Sequence, residues 1–353
     1  MPNKVASTTR QRLHWIDAVK GFAIFCVVLG HCLQEYPTTI HIHNQYIQAF
    51  IMPLFMMISG YLSANIAGIT PLKKRAIQLL IPFSTWAIIA PLLNFSIHYD
   101  LSSYLLSVGK TFLYPDQGLW FLWALFFICC IYSFANYFDT KQGGYKFLIA
   151  TNLICILCFP LFKADFFATH QIVRYYIIFS LGAVLKKNED YLSKFPLLSI
   201  SWVIFLLFLQ IFSLKNEGSI FVSHPLPLVG KILPTLVRFI CNISGAIGLL
   251  LLFKKMCRKE NDGFLSSGLR ALGKITLGIY FFHFFFVSLF TFIWSTYLQQ
   301  PTSELNLYLS FLIKAAYFIF QLFAALILSV ILVKIAQQNR LLALLCLGTP
   351  FKR

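Results

Sequence analysis

The first apolar stretch, residues 15–33, carries three ionisable side chains, which is unusual for a segment long enough to cross a membrane. They are Asp17, Lys20 and His31. On a helix the three fall within ~60° of one another, and Lys20 lies ~16 Å from His31 along the axis. Ionisable groups inside a membrane are costly, so this face is typical of a functional site. Unperturbed imidazole titrates near neutral pH, so a histidine at this position is a candidate general base or transient acyl carrier, and His31 is that candidate.

The composition predicts an all-α, polytopic integral membrane helix bundle. Hydrophobic residues make up 58% and charged residues 12% of the 353. About ten transmembrane helices are expected, at 15–33, 46–66, 77–97, 118–138, 147–162, 170–185, 197–213, 232–253, 275–298 and 307–333. The chain then divides into an N-terminal tail (1–14), a ten-helix membrane domain (15–333) and a C-terminal tail (334–353).

The basic residues orient this bundle. If the N-terminus is cytoplasmic, 21 of the 29 Lys and Arg residues fall in inner segments and 4 in outer segments. The positive-inside rule therefore favours cytoplasmic positions for both termini, and it explains the net charge of +17 without a nucleic-acid partner. Of the four cations left inside spans, Arg174, Arg238 and Lys314 lie in the outer part of theirs. They either snorkel to the interface or line an anionic or polar cavity.

Other stretches carry less information. Residues 98–117 resemble an amphipathic or re-entrant piece on the outer surface, and 340–348 an interfacial segment on the inner side. Cys155 and Cys158 have zinc-like spacing but no second pair, and His41 and His43 are typical of a solvated loop. We expect no metal site.

A series of motifs follows the first span. Lys20-Gly21 precedes His31 in a basic-x10-His pattern, and the second span contains Pro53, Phe55, Ser59, Gly60 and Tyr61. The later motifs are KKRAIQLLIPF (73–83), LWFL (119–122), FSLGAVLKK (179–187) and LGKITLGIYFFH (272–283). In this order and over nearly the whole chain, the motifs resemble those of membrane acyltransferase family 3, which includes O-antigen and fucose O-acetylases.

The resemblance implies transfer of an acyl group, usually acetyl from acetyl-CoA, to a hydroxyl of a cell-envelope glycan. His31 is the expected catalytic residue. The expected donor- or substrate-binding residues are Asp17, Lys20, Ser59, Tyr61, Trp120, Arg174 and His283. No bound cofactor is expected. The partners would be acetyl-CoA, a glycan or lipid-linked glycan acceptor, and the lipid bilayer of a bacterial inner membrane.

Several of these residues also have structural interpretations. Lys20 can pair with Asp17 or meet the CoA phosphates, and Trp120 can stack on a sugar or belong to the interfacial aromatic belt. His283 can bind the donor or satisfy a neighbouring helix, and Arg174 can bind a carboxylate or phosphate through its planar fork. Ser59 and Tyr61 can donate hydrogen bonds.

Two questions stay open in the sequence. His31 is expected near the outer end of its span while CoA approaches from the basic inner face, so either pantetheine reaches through the bundle or His31 lies deeper. The alternative functions are a transporter or flippase for a lipid-linked anionic glycan, and an acyltransferase whose acceptor is not a sugar.

Overall fold

The computed structural model describes residues 13–34, 47, 49–93, 100–115, 119–159, 166–192, 196–216, 227–257 and 264–349. Within these ranges all regular elements are helical. The α-helices are α1 (His14–Gln34), α2 (Ile51–Leu62), α3 (Ile69–Ile89), α4 (Leu101–Leu113), α5 (Trp120–Gln142), α6 (Lys146–Cys158), α7 (Thr169–Lys187), α8 (Glu189–Leu192), α9 (Leu197–Asn216), α10 (Pro227–Met256), α11 (Phe264–Lys274), α12 (Thr276–Ile293), α13 (Gln299–Ser303), α14 (Leu307–Gln338) and α15 (Arg340–Leu347). The tail before residue 13 and the loop histidines His41 and His43 lie outside the described residues.

Six of the described helical stretches are long and apolar enough to cross a membrane, which confirms a multi-pass helical protein in outline. They are His14–Leu33, Ile69–Leu92, Trp120–Gln142, Thr235–Met256, Thr276–Ser303 and Leu307–Gln338. The apolar helices Ile51–Leu62, Lys146–Cys158 and Leu197–Leu209 are shorter. The count of ten spans and the cytoplasmic position of both termini stay predictions.

Two segments outside the long apolar helices also form helices. The stretch predicted to be amphipathic contains α4, whose residues Leu101, Leu105 and Leu106 are exposed. At the other end of the chain, α15 packs against α3 and buries Cys346 and Leu347. The C-terminal end of α15 is therefore packed onto the bundle.

A close helix crossing joins α1 to α11 through two glycines. A methyl group on Gly21 would overlap the Leu269 carbonyl, and one on Gly273 would overlap the Asp17 carbonyl. At each glycine, the backbone of the other helix thus occupies the space that a side chain would fill. Lipid tails are as apolar as core side chains, so membrane helices associate through such close packing rather than through a hydrophobic driving force.

A second reciprocal crossing joins α2 to α7. Here Gly60 faces the Phe179 carbonyl and Gly182 faces the Met57 carbonyl, again with no room for a methyl group. Gly60, which belongs to the motif of the second predicted span, is therefore a packing residue at this contact. The crossing fixes the neighbouring Tyr61 relative to the end of α7.

The crossing of α1 with α11 also positions α12. Only Ile275 separates the two helices α11 and α12, and α12 packs against α1 and α14. Both α1 and α12 run away from the Asp17–Gly273 contact in the same direction. Residues about 15–20 Å beyond this contact on each helix are consequently brought side by side.

We expect Gly273→Ala to destabilise the protein by about 1–3 kcal/mol, because the new methyl group forces α11 away from the Asp17 carbonyl. The matched control is Gly268→Ala on the same helix, where nothing lies within 4 Å of the added carbon. This control gains helix propensity and changes stability by no more than about 1 kcal/mol. Thermal unfolding of both variants in detergent measures the difference, and equal effects would contradict the crossing.

Candidate active site

Two histidines meet between α1 and α12. The ring centroids of His31 and His283 are 5.2 Å apart, with the ring planes inclined at 44°. That separation allows one hydrogen bond between ring nitrogens or one small polar group between them. The sequence named both residues as site candidates, and the structure brings them together.

His283 is held in one orientation and keeps one nitrogen uncommitted. Its side chain is 2% exposed, and Nδ1 lies 3.0 Å from the Ile279 carbonyl oxygen, which can only accept a hydrogen bond. Nδ1 therefore carries the proton and Nε2 presents a lone pair. Among the described residues Nε2 has no hydrogen-bond partner. A buried acceptor left this way is the kind of group that a substrate hydroxyl or a second imidazole satisfies.

Aromatic rings surround the pair. Phe284 contacts His31 edge-on at 5.6 Å between centroids, and Tyr280 lies 5.8 Å from the ring of His283. Tyr280 in turn contacts Phe121 at 5.9 Å. These rings make the surroundings of the buried His283 largely apolar, which strengthens each polar interaction made there.

The contact with His283 also places His31 in depth. His283 is seven residues from the start of α12, about 10 Å along its axis, and the helical stretch continues to Ser303. His31 is therefore level with the first third of that stretch, although it lies in the last turn of α1. This favours the deeper of the two positions that the sequence left open.

Asp17 and Lys20 lie at the crossing of α1 with α11, away from the histidines. Asp17 is 5% exposed and Lys20 is half-buried. By helical rise Lys20 is ~16 Å from His31, so it does not share a contact with the imidazole. The structure thus separates these two charges from the pair of rings.

Tyr61 and Ser59 lie on α2 next to a charged cluster. The Tyr61 hydroxyl donates to Glu189 Oε2 at 2.8 Å, and the Trp15 ring contacts the Tyr61 ring at 5.4 Å. Lys186 donates to the same carboxylate at 2.7 Å, and Lys254 of α10 also donates to it. Ser59 is half-buried one turn from the end of α2.

We refer to Tyr61, Lys186, Glu189 and Lys254 as the Glu189 cluster. Partial burial raises the pKa of the Glu189 carboxyl, but hydrogen bonds from Lys186, Lys254 and Tyr61 outweigh it and lower that pKa to about 2. The cluster ties α2, α7 and α10 together at one end of the bundle. In the predicted orientation this is the cytoplasmic end.

Trp120 and Arg174 lie further from the histidines than the rings of Phe121 and Tyr280, which we call the aromatic group. The Trp120 ring stacks on Tyr175 at 5.5 Å and 22°, and it contacts Phe121 edge-on at 6.1 Å. Arg174 lines a cavity of about 430 Å³ between α6, α7 and α10. Trp120 therefore stands between this cavity and the rings next to His283.

Some residues of these contacts were missed by sequence reasoning. Glu189, Tyr175 and Tyr280 were not singled out, although Glu189 follows Lys186 by three residues in a chain with 12 acids. The acidic pair Glu189-Asp190, directly after a basic helix end, was an available signal. The aromatic residues gave none, because the chain contains 38 Phe, 16 Tyr and 6 Trp.

The fold and the pair of histidines define a polytopic helical membrane protein with ionisable groups inside the bundle. Residues 13–334 match the model of acyltransferase family 3, described as an acyltransferase domain, so the chain belongs to that family. This confirms the resemblance drawn from the motifs.

Two curated relatives are similar over part of the chain. Nodulation protein NolL of Sinorhizobium fredii is 32% identical over 158 residues, which cover 41% of this chain and 42% of that protein. Nodulation protein NolL of Mesorhizobium japonicum is 32% identical over 120 residues, 31% of this chain and 32% of the relative. The chain thus matches less than half the length of these relatives. No solved structure matches.

The Glu189 cluster predicts a pH dependence of stability. The folded pKa of Glu189 lies below its ordinary value of 4.5, so its contribution is fully present above that value and is lost as the pH falls toward about 2. We expect the melting-temperature difference between wild type and Glu189→Gln to be constant above pH 5 and to shrink between pH 5 and 3. Tyr61→Phe removes one of the three donors that lower the pKa of Glu189. It should therefore narrow the pH range over which this melting-temperature difference is lost. A melting-temperature difference that does not change with pH would contradict the hydrogen bonds assigned to Glu189.

Proposed function

We propose that this protein transfers an acetyl group from acetyl-CoA to a sugar hydroxyl of a bacterial surface polysaccharide, such as a lipopolysaccharide O-antigen. The observation that carries the proposal is the contact of His31 with His283 inside a member of acyltransferase family 3. The deletion of this gene should remove acetyl groups from the surface glycan. Mass spectrometry of that glycan is the test, and an unchanged acetyl content would refute the acceptor class.

The chemistry requires a base for the acceptor hydroxyl. In one route His31 removes the hydroxyl proton while the oxygen attacks the thioester carbonyl; the C–S bond breaks, and the imidazolium returns the proton to the CoA thiolate. In the other, a ring nitrogen of His31 attacks the thioester carbonyl, the C–S bond breaks, and the CoA thiolate leaves with the imidazole proton. The acceptor oxygen then attacks the acetyl-imidazole, the N–C bond breaks, and the hydroxyl proton passes to the imidazole. The balance of atoms is the same in both routes.

His283 is well placed to assist either route. Its Nδ1–H is committed to the Ile279 carbonyl, so Nε2 can accept a hydrogen bond from the imidazolium that forms on His31 or from the acceptor hydroxyl. A neutral, buried imidazole stabilises a neighbouring positive charge without adding one. We assign His283 to orienting and stabilising His31.

The donor would enter from the basic end of the bundle. Lys254 and Lys186 of the Glu189 cluster lie there in the predicted orientation, as do Arg270 and Lys274 of α11. Lys20 is placed between this end and the histidines. CoA carries several phosphates, and cations of this kind bind them. Because His31 is level with the first third of the helical stretch Thr276–Ser303, the pantetheine arm has only part of the membrane to cross.

The setting would be the bacterial inner membrane. The composition, the six long apolar helical stretches and the bacterial source of both relatives support a multi-pass protein there. Membership of an acyltransferase family speaks against a transporter or flippase. An acceptor other than a sugar is an outcome that the glycan measurement detects.

We expect His31→Ala to reduce acetyl transfer by at least ~10²-fold, the usual contribution of a positioned base. The assay follows labelled acetyl groups from acetyl-CoA to isolated glycan with protein purified into liposomes. Gly268→Ala serves as the folded control. Unchanged transfer by His31→Ala would refute the catalytic assignment.

The same preparation distinguishes the two routes. Without acceptor, acetyl-CoA should add one acetyl mass to a peptide containing His31 if the acyl-imidazole forms, and none if His31 acts only as a base. His283→Asn retains a donor for the Ile279 carbonyl and lacks the lone pair at Nε2. We expect it to fold, to keep the KM for acetyl-CoA and to lower kcat by about tenfold or more; a change in KM alone would contradict the orienting role.

A further inference from the structure

The cavity between α6, α7 and α10 is built around two arginines. Arg174 of α7 and Arg238 of α10 both line it, and the imidazole of His170 is also part of the lining. Its lining contains no Asp or Glu, and neither arginine forms an ion pair with a carboxylate among the described residues. Two cations facing one cavity in a membrane protein need an anion to offset their desolvation and mutual repulsion.

The site is held in place by a buried polar residue. Asn242 is 1% exposed, and with its amide nitrogen donating to the carbonyls of Ala49 and Arg238, its oxygen accepts a hydrogen bond from Arg174 at 3.2 Å. One buried amide therefore links the side chain of Arg174 to the backbone of Arg238. The Arg174 guanidinium is therefore oriented before any ligand arrives, which lowers the entropy cost of binding at that residue.

The lining of the cavity suits an amphiphile. Ile156 and Leu236 line it and are each 51% exposed, so apolar surface flanks the arginines at the outside of the bundle. Arg174 lies about 6 Å from the start of its predicted span at residue 170, and Arg238 about 9 Å from the start of its predicted span at residue 232. In the predicted orientation both starts face outward, so the two guanidinium groups lie in the outer part of the membrane, below the level of the outer-leaflet headgroups.

We propose that this cavity binds the phosphate of a membrane lipid, with the forks of Arg174 and Arg238 on the phosphate and the lipid chain along Ile156 and Leu236. The planar forks match phosphate oxygens bidentately. A volume of about 430 Å³ holds a phosphate with part of its attached group. Neither the family match nor the relatives assign this site.

The favoured lipid is the lipid-linked glycan acceptor, an assignment that rests on the proposed function. Tyr175 follows Arg174 directly and stacks on Trp120, and contacts through Phe121 and Tyr280 continue to His283. Aromatic faces suit the apolar faces of sugar rings. A glycan attached to a phosphate in the cavity would thus extend along these rings toward the histidines.

Lipid binding is tested without acetyl-CoA, so that its failure is distinct from failure of acetyl transfer. Native mass spectrometry of the purified protein would measure binding of a polyprenyl diphosphate glycan, of phosphatidylglycerol and of inorganic phosphate. We expect the double variant Arg174→Gln/Arg238→Gln to bind the lipid probes about tenfold to a hundredfold more weakly. Lys314→Gln, another cation in the outer part of a predicted span but outside the cavity lining, should bind them like wild type.

Each result has one meaning. Equal lipid binding by wild type and the double variant, or equal losses in the double variant and Lys314→Gln, would overturn the site. Should the double variant not fold, Ile156→Trp fills the cavity mouth with both arginines present, and unchanged binding by that variant overturns it. Preference for the glycan lipid supports the acceptor, whereas equal binding of phosphatidylglycerol supports a phosphate-lipid site and overturns the acceptor assignment. Inorganic phosphate binding as tightly as either lipid overturns the lipid requirement.

Discussion

The contact between the backbones of α1 and α11 determines the relative position of the two histidines. Gly21 accommodates the Leu269 carbonyl and Gly273 accommodates the Asp17 carbonyl, so the helices are locked in one register. In a membrane this close approach replaces the hydrophobic driving force that assembles soluble proteins. Since α12 follows α11 after a single residue, the same register places His283 opposite His31.

This arrangement separates the two charged residues of the first helix from its imidazole. Asp17 and Lys20 lie at the crossing, and His31 lies about three turns further on, next to a buried imidazole with a fixed tautomer. The Glu189 cluster holds α2, α7 and α10 at one end, and the two arginines lie on the other side of the aromatic group. The proposed donor and acceptor would therefore approach His31 from different directions.

Much of the fold was predictable from residue pattern. Long apolar stretches predicted helices near their observed positions, and the cost of burying ionisable groups pointed to His31 and His283. Their contact was not predictable, because it depends on the register of α1 against α11, and small residues are common in many helices. The same holds for Arg174 and Arg238: the sequence placed both in the outer part of their spans, but only the packing of α7 beside α10 brings them to one cavity, while Lys314 is not part of its lining.

The central claim is that His31 and His283 act as one unit, and a double-mutant cycle on kcat/KM tests it most directly. The cycle compares wild type, His31→Ala, His283→Asn and the double variant in acetyl transfer from acetyl-CoA. Residues that act together are strongly non-additive, so we predict that the double variant is no slower than the slower single variant. Losses that multiply, as for two independent residues, would contradict the account.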